Sequence, residues 1–412
     1  MRNNAGEHKA KGTMRESFEA LRNEPAFAPA DKGDVSFFNP QSRVEDKKTF
    51  RKKVIGLVCA LVILFLASLC ISASTYEVYA PGQVVDALAM WFKTTFETVV
   101  MGQAYTTEQI MDICPQYYQV TVRVVITFMA LITGIIVTLA GMIYQGVFRN
   151  PVAAPTMLGV AGGLNMGLLI FVYEFGAAAY NAIVAHYAFA YLGAILVLIV
   201  VLALSRLING SRNFSVVDML LVGSIVSQVL AQIVLFVTYY VYTDNQFIVY
   251  TQLNEVLTVD TSSFAVTLLL VVFAVTFIPV YFMRFRMNVL SFSEEESRGL
   301  GIRGNRFRYI ALVLATLMVI AAMAHSGMVG MVALVAPFVS RAFFGAEFSK
   351  QTVGNILVGG VMVVACRAVA DLLSIVLYTH GFTFNFPIGV VASLVCLPVF
   401  VWIIALQQRT WE

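Results

Sequence analysis

Arg367 and Asp371 stand four residues apart inside a long apolar run. On a helix that spacing puts both on one face, where they can form an ion pair. Each charge costs about 2.5–3.5 kcal/mol at mid-membrane on insertion scales, so the two are expected to pair and to face protein. Groups able to do covalent or metal chemistry are otherwise scattered. His8, His186, His325 and His380 fall far apart, Cys59, Cys70, Cys366 and Cys396 lie inside apolar runs, and Cys114 stands alone. No spacing suggests a zinc site, an iron–sulfur cluster or a disulfide framework. No G-x-x-x-x-G-K-[ST] stretch occurs, so the chain carries no phosphate cradle of its own. No catalytic residue, metal or cofactor is therefore assigned.

Between Tyr144 and Gly163 the chain reads Y-Q-G-V-F-R-N-P-V-A-A-P-T-M-L-G-V-A-G-G, polar and broken by Pro151 and Pro155, between two membrane-length apolar runs. In contact with lipid, such a loop would leave backbone N–H and C=O groups unpaired. It must lie at an interface, against protein or along a cavity. A second polar segment, N-V-L-S-F-S-E-E-E-S-R-G-L-G-I at 288–302, suits a short amphipathic helix. Ser291 or Ser293 can cap it, its three glutamates favour the positive end of the dipole, and Gly299 and Gly301 permit an exit turn.

The elements around these segments follow from composition. Apolar residues make up 59% and charged residues 12% of 412, whereas a soluble chain carries roughly twice that charge fraction. An all-α membrane protein is predicted, with about ten spans near 54–74, 119–144, 156–173, 183–205, 216–242, 262–283, 309–324, 327–345, 352–378 and 386–406. His325-Ser326-Gly327 barely separates two of them and reads as a tight external turn. With both termini cytoplasmic, 24 of the 27 Lys and Arg fall inside, leaving Lys93, Arg123 and Arg367 outside or in the outer part of a span. Residues 1–48 are polar, mixed in charge and Pro-containing. They read as a disordered cytoplasmic extension, and Lys47 to Lys53 as an anchor beside acidic headgroups. The polytopic domain takes the rest, 49–412.

Four ordered stretches resemble the FecCD-type permeases, the membrane subunits of ABC importers for iron–siderophore complexes, haem and cobalamin. Gln145, Arg149, Asn150, Pro151, Pro155 and Gly159 match the family's Q-x-x-x-R-N-P-L-A-x-P-x-x-L-G-V-x-x-G. Ser291, Glu294, Glu295, Leu300 and Gly301 match its cytoplasmic coupling helix, with Ser297 in place of alanine. Gly327, Leu334, Pro337 and Arg341 match a third pattern, where Phe338 replaces histidine. Pro387, Gly389 and Pro398 match the closing pattern, where Asn385 replaces glutamate. Ala370-Asp371-Leu372-Leu373 also fits the family's A-D-L-L.

The resemblance implies two ABC ATPase subunits, a second permease subunit (a homodimer favoured), an extracytoplasmic binding protein, a place in the cytoplasmic membrane and no nucleic acid. It also implies that spans 2–5 and 7–10 are inverted repeats, with Pro151/Pro155 and Pro337 marking broken segments in equivalent places. The family's R-x-P-R survives only as Arg123, with Ile126 at the second arginine, so Arg123 is expected to dock the binding protein or to anchor its helix at the headgroups. An ion-coupled secondary transporter is the alternative. It needs acidic residues at mid-span, for which only Asp371, Glu174 and Asp218 are available. A membrane enzyme would need clustered His, Asp or Cys on facing spans.

Overall fold

The computed structural model describes residues 40–409 except 73–74, 102–106, 176–181, 210–215, 241–261, 292–298, 300–303, 328, 346 and 383–385. It divides into the units Met1–Ile55 and Gly56–Glu412. Apart from one two-residue hairpin, its regular elements are helices. In chain order they are α1 (Pro40–Leu69), the strands β1 (Ile71–Ser72) and β2 (Glu77–Val78), α2 (Pro81–Met101), α3 (Thr107–Ile113), α4 (Tyr117–Phe148), α5 (Val160–Phe175), α6 (Ile183–Asn209), α7 (Val216–Tyr240), α8 (Ser263–Met283), α9 (Gly304–Ser326), α10 (Gly330–Phe344), α11 (Phe348–Thr379) and α12 (Ile388–Arg409). Single 3-10 turns occur at Pro155–Leu158 and Arg286–Ser291.

Among the described residues seven helices are long and apolar enough to cross a membrane, namely α1, α4, α6, α7, α8, α9 and α11, and α5, α10 and α12 contain shorter apolar stretches. The protein is thus a multi-pass, all-helical membrane protein. Two features differ from expectation. α1 begins at Pro40, so the last residues of the expected disordered extension are helical, whereas residues 1–39 lie outside the described part. Second, α2 is a helix of 21 residues outside the ten expected spans.

The core is organised on α4 and α11, each 32 residues long. They run antiparallel, with Gly134 beside Gly359 and Arg123 beside Asp371. A Cβ placed on Gly134 would stand 2.3 Å from Gly359 O, and one on Gly359 would stand 2.3 Å from Gly134 O. Only hydrogen fits at either position. With no hydrophobic drive between helices in lipid, such close backbone packing is what holds the pair together.

α9 is antiparallel to α4 as well. Tyr144 Oη meets Thr316 Oγ1 at 2.7 Å, and Thr133 Oγ1 meets Ser326 Oγ at 2.7 Å. The turn after Ser326 therefore lies level with Thr133, and α4 continues past it by roughly 24 Å at about 1.5 Å per residue. His325 and Ser326 are buried. The expected external turn is in fact sunk into the bundle, because its polar side chains bond inward to α4 and to the α9 backbone, His325 Nδ1 lying 2.9 Å from Ala321 O.

Candidate functional site

The 145–163 segment surfaces and then dives. α4 stops at Arg149, whose φ of 48° is left-handed and whose N–H donates to Gly146 O. Asn150 folds the next turn: its Oδ1 accepts from Val152 N–H at 2.9 Å and its carbonyl from Ala153 N–H at 3.0 Å. Pro155 forces Ala154 into extended backbone and opens the 3-10 turn. Gly159, at φ 75°, closes that turn and lets Gly163 N–H reach its carbonyl to start α5. Arg149, Asn150 and Pro151 are exposed, while Ala153, Pro155 and Leu158 are buried. The second half of the segment is thus irregular backbone enclosed by protein, as hydrocarbon requires.

α10 runs unbroken from Gly330 to Phe344 with Pro337 inside it, so the expected break at Pro337 is not seen; the chain is interrupted instead ahead of Gly330, between α9 and α10. Pro337 lacks the N–H that would bond Ala333 O. That carbonyl packs on α4 instead, at Gly141, where a Cβ would come within 1.8 Å of it. One turn along α4, Gln145 Nε2 donates to Leu334 O at 3.0 Å. Gln145 of the first pattern thus bonds the α10 backbone one residue beyond the carbonyl that Pro337 leaves without a helical donor.

The N-terminus of α10 meets the dived segment, since Thr156 Cγ2 lies 3.0 Å from where a Cβ on Gly330 would stand. One interruption entering from the Phe148 end of α4 and one from the opposite end meet inside the bundle. The fourth pattern joins through Phe338, whose ring meets Phe400 edge-on at 5.8 Å. Arg341, half-buried, holds its guanidinium 6.0 Å from the Phe338 ring. Pro387 starts α12, its carbonyl accepting from Val390 and Val391 N–H, with Gly389 half-buried in the first turn. Pro398 lies exposed within the helix.

Arg367 and Asp371 do meet, Nη2 to Oδ1 at 2.9 Å and Nε to Oδ2 at 3.1 Å. A second cation completes the cluster: Arg123 Nη2 pairs with Asp371 Oδ2 and donates to Ser68 O at 3.3 Å. Arg123 is 1% exposed, Asp371 2% and Arg367 18%. The expectation that Arg123 docks a binding protein or anchors at headgroups is corrected by this geometry, because its charge is turned inward and consumed by a carboxylate. Ser374, one turn beyond Asp371, accepts from Phe386 N–H at 2.7 Å and fixes the entry to α12.

A polar stripe on α7 was not anticipated from the sequence. Ser224, Gln228 and Gln232 are exposed on α7, four residues apart, in the middle of an apolar helix. Polar groups at that depth face a cavity or protein rather than lipid. Their i, i+4, i+8 spacing was the available signal. α12 adds exposed Ser393 on its own free face.

Of the expected coupling segment, the described part is the Arg286–Ser291 turn, where Asn288 Oδ1 accepts from Phe348 N–H at 3.0 Å and ties the segment to α11. Glu294, Glu295, Ser297, Leu300 and Gly301 lie outside the described residues. Among the described residues no three His, Cys, Asp or Glu gather as metal ligands.

Helices interrupted in two opposed places, with a polar stripe turned away from the core, characterise this membrane-embedded helical subunit. The fold is similar to that of the solved structure described as "An inward-facing conformation of a putative metal-chelate type ABC transporter", with a TM-score of 0.64 and 23% identity, covering 86% of this chain and 99% of that one. The protein belongs to the FecCD transport family, whose model matches residues 60–405. Similar relatives include the "Probable iron chelatin transport system permease protein" of Helicobacter pylori, 29% identical over 266 residues, 64% of this chain and 75% of that protein. The "Hemin transport system permease protein HmuU" of Yersinia pestis is 28% identical over 275 residues, 65% of this chain and 77% of that one.

Proposed function

We propose that this chain is the permease subunit of an ATP-driven importer for a bulky iron chelate of the siderophore or haem type. The observation that supports this most is the meeting of the two interruptions at Thr156 and Gly330, beside helices that expose Ser224, Gln228, Gln232 and Ser393. A second permease copy, with its own α7 and α12, would close these faces into a central path. A large ligand would then pass between polar and apolar side chains without tight coordination. The Phe148 end of α4 is assigned to the cytoplasm, so that both termini are cytoplasmic and a binding protein delivers ligand at the Tyr117 end.

Two ATPase subunits would act on the 288–302 segment. Asn288, bonded to the start of α11, supplies a connection from that segment to the bundle core. Nucleotide shifts access between the two sides only if it binds the two states with different affinity. The alternative of an ion-coupled transporter loses support at Asp371. That carboxylate already faces two guanidinium groups, which leaves no net negative charge at that position to bind a coupling ion.

The test combines Leu300→Asp with Glu295→Lys in the permease co-expressed with its ATPase. Uptake and binding-protein-stimulated ATP hydrolysis should both fall while the permease stays in the membrane. Normal uptake by this double variant refutes the coupling assignment.

A further inference from the structure

We propose that α2 lies as an amphipathic helix in the membrane interface, its free face dissolved in the lipid leaflet at the Tyr117 end of α4. The helix is long enough to cross a bilayer but carries Asp86, Lys93 and Glu97, and its packing is confined to one end of the bundle. Val84 and Ala87 are buried together with Leu69 of α1 and Val120 of α4, and Phe65, Tyr117 and Val124 pack around them. Thr94 Oγ1 meets Tyr117 Oη at 3.3 Å, which ties the middle of α2 to the first turn of α4. Among the described residues this cluster is made by α2 with the last turns of α1, the first turns of α4, and Tyr79 and Cys114 of the connecting segments.

The opposite face of α2 is apolar as well. Val85 is 62% exposed, Phe92 68% and Phe96 47%, with exposed Ala89 between them. The spacing 85, 89, 92 and 96 is that of a single helical stripe. Exposed Asp86 and Lys93, seven residues apart, run along one edge of it. A helix with one face packed on protein and a second, narrower apolar face edged by charge fits the headgroup–acyl boundary, where such faces sink about 5–10 Å.

Continuity selects lipid as the occupant. The exposed side of α1, at Val58, Val62, Ile63 and Leu66, is an apolar surface of a membrane span, and it leads to the turn of α1 on which α2 rests. Trp91, 42% exposed and two turns beyond buried Val84 on the packed side of the helix, is the residue type that concentrates at membrane interfaces. α2 would then brace the otherwise thinly packed end of α1 by holding it against the leaflet.

The test uses the full chain in vesicles of phosphatidylcholine and phosphatidylglycerol, with Trp91, Trp402 and Trp411 replaced by Phe and Phe92→Trp as the single reporter. Lipids brominated near the headgroup should quench it several-fold more strongly than iodide in the buffer, and more than lipids brominated near the chain ends. Ala89→Trp, a smaller site on the same stripe, should give the same order and serves if Phe92→Trp does not assemble. Quenching by iodide with none by brominated lipid places the stripe in water and overturns the proposal. Resistance to both quenchers means that protein covers it, a second copy or another subunit, and overturns it equally.

Discussion

Replacing Asp371 by Asn tests the buried charge cluster most directly. The variant keeps the shape of the side chain and leaves two guanidinium groups facing each other, one of them only 1% exposed. Breaking a buried pair by removing one partner costs about 3–5 kcal/mol, because the remaining charge has no compensation. Arg123→Leu should cost less, since Asp371 still has Arg367 at 2.9 Å and the site becomes neutral; about 1–3 kcal/mol is expected, mostly from lost packing and the abandoned Ser68 carbonyl. Arg367, at 18% exposed, has the freedom to swing its head toward the interface. The double variant Asp371→Asn/Arg123→Leu should therefore be more stable than Asp371→Asn alone. Unfolding by denaturing detergent in mixed micelles, read by circular dichroism, measures all three. Coupling between positions 123 and 371 should exceed about 1.5 kcal/mol, within the range for residues in one network. Additivity within about 0.5 kcal/mol, the behaviour of independent sites, would refute the argument.

Gly141→Val should separate α4 from α10, because even a Cβ would lie 1.8 Å from Ala333 O; loss of uptake with retained membrane insertion is expected, and wild-type uptake would show that the crossing is not needed. Gln228→Leu with Gln232→Leu should leave thermal stability unchanged and reduce transport if these side chains line the path, whereas a large loss of stability would move them to a structural role. The Glu347 carboxyl at the start of α11 is held below the usual range by the Ser349 hydroxyl, and Lys350 adds to this at 3.1 Å. Because the folded value is lowered, its small, half-exposed contribution is fully present above about pH 4.3 and fades as pH falls through the folded value; Glu347→Gln should flatten that part of a stability–pH curve. Deleting Met1–Lys48 while keeping Arg51, Lys52 and Lys53 should preserve insertion and uptake, and loss of uptake at normal expression would assign the extension a function.

Much of this architecture was legible in the chain because hydrocarbon imposes simple demands. Long apolar runs had to become helices, and the proline-broken stretch at 145–163 had to be sheltered, as Ala153, Pro155 and Leu158 are. Arg367 and Asp371 were readable from a spacing of four. Their third partner was not, since no local rule links Arg123 to a residue 248 positions away. The sunken turn at Ser326 escaped for the same reason: apolar run lengths report that a helix ends, not how deep. α2 was overlooked because three charges in 21 residues fall below any threshold for a span, yet its two apolar faces were present in the periodicity.

The reach of the Arg123–Asp371 contact also bears on how the protein is made. Arg123 emerges from the ribosome long before its carboxylate partner, and at about 5–20 residues per second the interval is roughly 12–50 s. During that time α4 must reside in the membrane or the insertion machinery with an uncompensated guanidinium. The Ser68 carbonyl, only 55 positions earlier, is already available to accept from it. α1 can thus act as a temporary holder for α4 until α11 arrives, which makes the order of synthesis part of how the bundle reaches its final packing.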